Sequence, residues 1–363
     1  MEIIHCQDDR AQKQRVTIET EDGAFKYLLQ MDYAKDLPKE LEDVPYAGNV
    51  SGGCVDKDDN LYVGLRGGSF FDPEPRTCLI KLDPDGHYLG MIGAGTLGGL
   101  HFFECTNHDT IVFADTGNSN GFEMTVDGTD KITRHFGPQN GHCDNGRQIA
   151  HLMIQTRLHS GIFPTEPFAG LNFDDSYAWK LAYDHAELGK PFHNPTDVDL
   201  DSKGNYYFSD GYGNCAIHKF NKDGEYVATF GGKGVYDAET DTPGKLLVPH
   251  SLCVDARDHI WVCDREKDAV HIFDTEGNVI GYYSHNLGQP SGVDDDGTYI
   301  YVAGRGGYIT IFDLDMNVVG KLGFFNCNLR AHHLAADSKG NLYLFPTHAN
   351  YDHQIIALKR LHD

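Results

Sequence analysis

Pro249-His250-Ser251-Leu252-Cys253-Val254-Asp255 is the stretch that decides the fold, because its pattern returns along the chain. A histidine stands where a strand is about to start, and an aspartate ends that strand. Each unit continues with a turn such as Ser202-Lys203-Gly204-Asn205 and a second strand of aromatic and β-branched residues. A third strand, an Asp-Gly or Glu-Gly turn and a fourth strand complete it. Around His250 the pattern predicts strands over 251–255, 259–263, 269–273 and 279–283. The unit before it is expected at 196–201, 206–209, 216–220 and 226–230, and the last unit at 332–337, 342–345 and 354–358. The first and fifth units fit well, and the second, 101–136, fits loosely. Six units of four strands, at about 40 to 50 residues each, predict an all-β chain folded as a six-bladed β-propeller. The repeats make residues 1–363 one domain rather than two.

Two segments stand outside the repeat. Within 1–48, residues 15–31 read as two strands around Glu21-Asp22-Gly23, a hairpin expected to close the ring by completing the last blade. Residues 137–191 interrupt the ring between the second and third units, with helix-compatible stretches at 147–157 and 177–188. An insertion of that length in a loop is expected to be a lid or a surface for a partner, including a second copy of the chain.

Composition narrows the function. A net charge of −24 repels nucleic acid and anionic membranes. No stretch approaches the roughly 20 apolar residues of a membrane span, and the start has no apolar signal region. The nine cysteines are odd in number and lack CxxC spacing. Reduced thiols in a cytoplasmic protein are the expectation.

The chemistry is carried by one position of the repeat. In blade order the residue at the His250 position is Ser51, His101, Thr196, His250, Ser291 and His332, so histidine alternates with a small hydroxyl residue. Inner strands of a propeller line the central channel, and equivalent positions converge on its axis. Histidines from every second blade form a trigonal ring, and three neutral imidazoles leave a fourth position open, as at a catalytic zinc. Nickel, cobalt or ferrous iron share the ligand preference. A lone rim histidine is ordinarily a hydrogen-bonded turn residue; the alternation is what favours a metal.

A second phase places Arg66, Arg265 and Arg305 at matching positions in the first, fourth and fifth units. On so acidic a chain they read as a receptor for an anionic substrate, most simply a carboxylate held bidentately. The bland alternative is ion pairing with acids such as Asp264 and Glu266. Tyr212 falls one residue beyond the same phase, where a nearby metal would suit a phenol to act as a base; an ordinary channel-lining tyrosine is the alternative.

Asn194-Pro195-Thr196-Asp197-Val198, Ser209-Asp210-Gly211-Tyr212, Val248-Pro249-His250-Ser251-Leu252 and Asp264-Arg265-Glu266 together resemble the NHL-type propeller of the peptidyl-α-hydroxyglycine α-amidating lyases. The likeness is strongest over 194–275 and collinear elsewhere. It implies a catalytic zinc on His101, His250 and His332, a channel tyrosine at Tyr212, and active-site arginines at Arg66 and Arg265. It also implies cleavage of the C–N bond of an N-substituted α-hydroxyglycine to an amide and glyoxylate. Some residues depart from that pattern. His333 stands where the resemblance calls for an acid that helps hold a structural calcium, so no calcium is expected. Gly213, Trp261 and His271 stand where the resemblance implies disulfide cysteines, and Arg330 replaces an apolar residue two before the last histidine. No monooxygenase domain is expected to accompany the propeller. These departures point to a smaller, more anionic substrate than a peptide.

The expected activity is therefore a zinc-dependent lyase acting at the hydroxyl-bearing carbon of a small anionic α-hydroxy acid, breaking a C–N or C–O bond. Tyr212 is the expected base, and Arg66, Arg265, Arg305, Arg330 and His333 the groups expected around the substrate. Hydration, dehydration or lactone hydrolysis at the same metal is a second reading. A non-catalytic NHL scaffold for protein partners is a third.

Overall fold

The computed structural model describes residues 16–31, 33–41, 50–66, 77–106, 108–116, 119–137, 191–212, 214–232, 242–284, 286–323, 329–346 and 355–362. They form six antiparallel sheets, one per blade, each beginning at the channel. Blade 1 holds β3 (Val50–Val55), β4 (Leu61–Arg66), β5 (Thr77–Leu82) and β6 (Tyr88–Leu97). Blade 2 holds β7 (Leu100–Cys105), β8 (Thr110–Asp115), β9 (Asn120–Thr125) and β10 (Ile132–Phe136). Blade 3 is β11 (Asp197–Leu200), β12 (Tyr206–Asp210), β13 (Ala216–Phe220) and β14 (Tyr226–Gly231). Blade 4 is β15 (Pro249–Val254), β16 (Ile260–Asp264), β17 (Ala269–Phe273) and β18 (Val279–Ser284). Blade 5 is β19 (Pro290–Asp295), β20 (Tyr299–Gly304), β21 (Tyr308–Asp313) and β22 (Val318–Gly323).

Blade 6 is assembled from segments far apart in sequence. Its inner strands are β23 (His333–Ala336), β24 (Leu342–Phe345) and β25 (Ile356–Leu361). The hairpin β1 (Val16–Glu19) and β2 (Lys26–Gln30) completes it, with β2 antiparallel to β25 and Leu29 opposite Leu358. The sheet is five-stranded, so the hairpin adds both its strands to the outer edge.

The turn between the first two strands of a blade shows why the repeat is written as it is. Asp201 Oδ1 accepts from the backbone N–H of Lys203 at 3.0 Å and of Asn205 at 2.9 Å, while Oδ2 accepts from the Tyr207 hydroxyl at 3.0 Å. Asp337 repeats all three bonds with Lys339, Asn341 and Tyr343. In blade 4, Trp261 Nε1 donates to Asp255 Oδ2 at 2.8 Å in place of the tyrosine. One carboxylate thus satisfies turn donors and a buried side chain together.

The apolar core lies between consecutive blades. Tyr207 and Ile217 of blade 3 pack with Leu252 and Val262 of blade 4, and Cys54 and Leu79 of blade 1 pack with Phe103 and Phe113 of blade 2. Carboxylates also bind blade to blade. Asp197 Oδ2 accepts from Ser251 Oγ at 2.7 Å and Leu252 N at 3.0 Å, and Asp294 Oδ2 accepts from Ala336 N at 2.7 Å. The insertion expected at 137–191 falls on 138–190, outside the described residues. The six described cysteines, Cys54, Cys78, Cys105, Cys215, Cys253 and Cys263, are free thiols. No helix among the described residues is long and apolar enough to cross a membrane.

Candidate metal centre

His101, His250 and His332 enter the channel at the starts of the inner strands of blades 2, 4 and 6. Their ring centroids stand 4.8, 4.9 and 4.9 Å apart, a nearly equilateral triangle set by alternation around a six-fold ring. One nitrogen from each lies within 4.8 Å of the others. His101 and His250 are fully buried.

The intervening blades orient the rings. His101 Nδ1 lies 2.7 Å from the carbonyl oxygen of Thr196, His250 Nδ1 2.8 Å from that of Ser291, and His332 Nδ1 3.1 Å from that of Ser51. A carbonyl only accepts, so each Nδ1 carries the proton and each Nε2 is left as a lone-pair donor toward the axis. Thr196 Oγ1 donates to Pro249 O at 2.8 Å and Ser291 Oγ to Ala331 O at 2.7 Å, holding the backbone just before His250 and His332. The hydroxyl residues between the histidines are therefore the supporting layer. Such partners fix the tautomer of ligating histidines. The alternation signalled the histidines but not this role, because the acceptors are backbone atoms.

Below the ring the channel is filled. Phe102, fully buried, sets its ring 3.9 Å from His101, 5.3 Å from His250 and 5.0 Å from His332. His333 stacks beneath it at 3.9 Å. Its Nδ1 accepts from Gly53 N at 3.4 Å, and its Nε2 faces Asp197 Oδ2 at 3.8 Å. The neighbouring Gly52 is required by this close approach: a Cβ there would stand 2.8 Å from Phe102 Cδ1 and 3.1 Å from His333 Nδ1. His333 therefore packs against Phe102 on the floor of the histidine ring.

Tyr212 closes one flank. Its hydroxyl is 2.9 Å from His101 Nε2 and 2.9 Å from His250 Nε2, and the residue is 5% exposed. Arg265 lies over the Tyr212 ring, its guanidinium carbon 5.8 Å from the centroid. Arg265 is buried, and its Nε donates to both oxygens of Glu266 at 2.9 Å. Burial works against the arginine's charge, but Glu266 and Tyr212 more than offset it and hold it protonated. Arg265 thus pairs with Glu266 and backs the Tyr212 ring. Burial holds His250 well below the usual histidine range, with Arg265, His101 and His332 pushing the same way.

The other arginines are more loosely placed. Arg305 follows β20 and is half-buried. Arg330, two residues before His332, is half-buried, and its Nε is buried with no hydrogen-bond partner among the described residues. Arg66 ends β4, its backbone opposite Thr77, and its side chain lies outside the described residues.

The donor set fits a divalent transition metal: three neutral imidazole Nε2 atoms converge, their Nδ1 protons are committed elsewhere, and no thiol among the described residues shares the ring.

Fold and site define a six-bladed propeller with a trihistidine channel centre, and residues 246–273 match the NHL repeat. Its relatives are only partly covered. Over 181 residues it is 29% identical to peptidyl-glycine alpha-amidating monooxygenase A of Xenopus laevis, spanning 44% of this chain and 19% of that one. Over 83 residues it is 34% identical to the probable peptidyl-alpha-hydroxyglycine alpha-amidating lyase pgal-1 of Caenorhabditis elegans, 23% of each chain. NHL repeat-containing protein 3 of Mus musculus is 31% identical over 119 residues, 31% of this chain and 33% of that one. Among solved structures, a streptogramin B lyase superposes with a TM-score of 0.52 at 10% identity, covering 92% of this chain and 98% of its own. That likeness is one of fold.

Proposed function

We propose that this propeller is a metal-dependent lyase acting on a small anionic α-hydroxy acid, with zinc on His101, His250 and His332. The observation that carries the reading is the convergence of three Nε2 lone pairs beside the Tyr212 hydroxyl, 2.9 Å from two of them. A divalent cation held there would supply Lewis acidity to the substrate's hydroxyl oxygen.

The chain's own groups do the rest. Tyr212 Oη, lying beside the hydroxyl, takes its proton as the carbonyl forms and the bond from that carbon to nitrogen breaks. The same oxygen then returns the proton to the departing nitrogen, so the products are an amide and an aldehyde acid such as glyoxylate. Arg265, held by Glu266, stabilises negative charge on the phenol oxygen. Arg330, with its unpartnered Nε, and Arg305 are the groups suited to the substrate carboxylate, with Arg66 the third candidate. Phe102 closes the floor and keeps water out from below. Partial likeness to amidating enzymes supports the reaction class.

The reading carries further proposals: an assembly surface within 137–191, a cytoplasmic setting, and no nucleic-acid or membrane partner, in keeping with the charge of −24. The test is release of glyoxylate from a panel of N-substituted α-hydroxyglycines by the zinc-loaded protein. Turnover that a chelator abolishes and zinc restores is expected; no release from any member of the panel would overturn the substrate class.

A further inference from the structure

A second group of ligating side chains sits on the inner strands of blades 1 and 2, three to four residues beyond the histidine layer and so about 10 Å along the channel. Cys54 Sγ and Cys105 Sγ stand 2.7 Å apart across the blade interface. A carboxylate oxygen of Glu104 completes the group, with all three ligand atoms within 4.8 Å of one another. Cys54 is fully buried, and a Glu104 oxygen accepts the Cys105 N–H at 2.8 Å.

The surroundings are negative. Asp199 and Asp294 occupy the Glu104 position in blades 3 and 5. Burial pushes the Glu104 carboxyl well above its usual range, and Asp199 and Asp294 push it further. Burial likewise raises the Cys54 thiol, helped by Cys105 and Glu104. Cys54 is buried and Cys105, Glu104, Asp199 and Asp294 are half-buried; acids and thiols held this close are unfavourable alone, and a cation is the species that would stabilise all of them together.

We propose that Cys54, Cys105 and Glu104 hold a second divalent cation, zinc or a metal of similar softness, which clamps blade 1 to blade 2. The two thiols release their protons to solvent as the cation binds. Thiol donors select against calcium and magnesium. Two sulfurs on one tetrahedral zinc at about 2.3 Å stand roughly 3.8 Å apart, so loading opens the pair by about 1 Å. A disulfide is the competing outcome. This site goes beyond the lyase reading and does not rest on it.

The test is titration of the metal-free protein with cobalt(II), followed through the near-ultraviolet thiolate-to-cobalt charge-transfer band, which a three-histidine site cannot produce. The band is expected to saturate by two equivalents in the wild type, where the histidine ring also takes cobalt, and at one equivalent in His250→Ala, and to vanish in Cys54→Ser and Cys105→Ser. Glu104→Gln, which keeps both thiols and the side-chain volume, is expected to weaken binding at least tenfold. A wild type without the band, or a band that persists in Cys54→Ser, overturns the proposal. So does a thiol count in denaturant without reductant that is two below the nine cysteines and is restored by reductant, since that marks a cross-link.

Discussion

Replacing Tyr212 by phenylalanine separates metal binding from chemistry with effects of opposite sign. In the metal-free protein the single phenolic hydrogen is shared between two acceptors, His101 Nε2 and His250 Nε2, each 2.9 Å away. Both nitrogens are the atoms a metal would take, so the hydroxyl competes with the ion. A neutral hydrogen bond contributes about 0.5–1.5 kcal/mol net, and about 1.4 kcal/mol corresponds to tenfold in affinity. Tyr212→Phe should therefore leave zinc affinity unchanged or tighten it by up to about tenfold. The base is lost at the same time, and removal of a positioned proton carrier costs about 10²–10⁴ in kcat. Chelator competition measures the affinity, and glyoxylate release from an N-substituted α-hydroxyglycine measures kcat. Zinc affinity weakened more than tenfold would mean Tyr212 is itself a ligand. A kcat within threefold of wild type would mean it is not the base. Either result refutes the assignment.

Two further outcomes follow from the supporting atoms. Ser291→Ala removes the donor to Ala331 O and leaves a buried carbonyl short of a partner; a cost of about 1–3 kcal/mol is expected in denaturant unfolding. With the backbone before His332 loosened, zinc affinity should fall about 10-fold or more, and unchanged affinity would show that the hydroxyl layer does not orient the ring. His250 binds its proton more weakly folded than unfolded, its folded value lying well below 6.5. Between its folded value and 6.5 the unfolded chain carries the extra proton, so across that window the metal-free protein should lose stability as pH falls, by up to about 1.4 kcal/mol per pH unit for this group. Above that window His250 contributes no slope. Urea midpoints across this range should show that slope reduced in His250→Gln.

The fold was legible because the turn aspartates, the glycines after them and the β-branched second strands repeat in side-chain chemistry. The strands expected at 251–255, 259–263, 269–273 and 279–283 lie within a residue or two of β15 to β18. In the last blade the strand expected at 354–358 is β25, Ile356–Leu361, and the outer strands are the hairpin read at 15–31 as closing the ring, with β2 paired to β25. The three histidines were legible because every second blade repeats them. Their orientation was not, since it rests on the carbonyls of Ser51, Thr196 and Ser291, and any residue supplies a carbonyl. Phe102 was missed because a phenylalanine in a strand reads as core, which it is; only convergence of the inner strands makes it the floor. Arg265 illustrates the limit of phase arguments. Its spacing matches Arg66 and Arg305, yet the adjacent Glu266 captures its guanidinium.

The central claim is that His101, His250 and His332 hold one divalent metal ion. Metal content by plasma mass spectrometry, on wild type and His250→Ala purified without chelator, tests it most directly. The variant should carry one equivalent less per chain than wild type, zinc being the metal lost, with its circular dichroism unchanged. Equal metal content in the two folded proteins would contradict the claim and leave the ring of histidines as hydrogen-bonded channel residues.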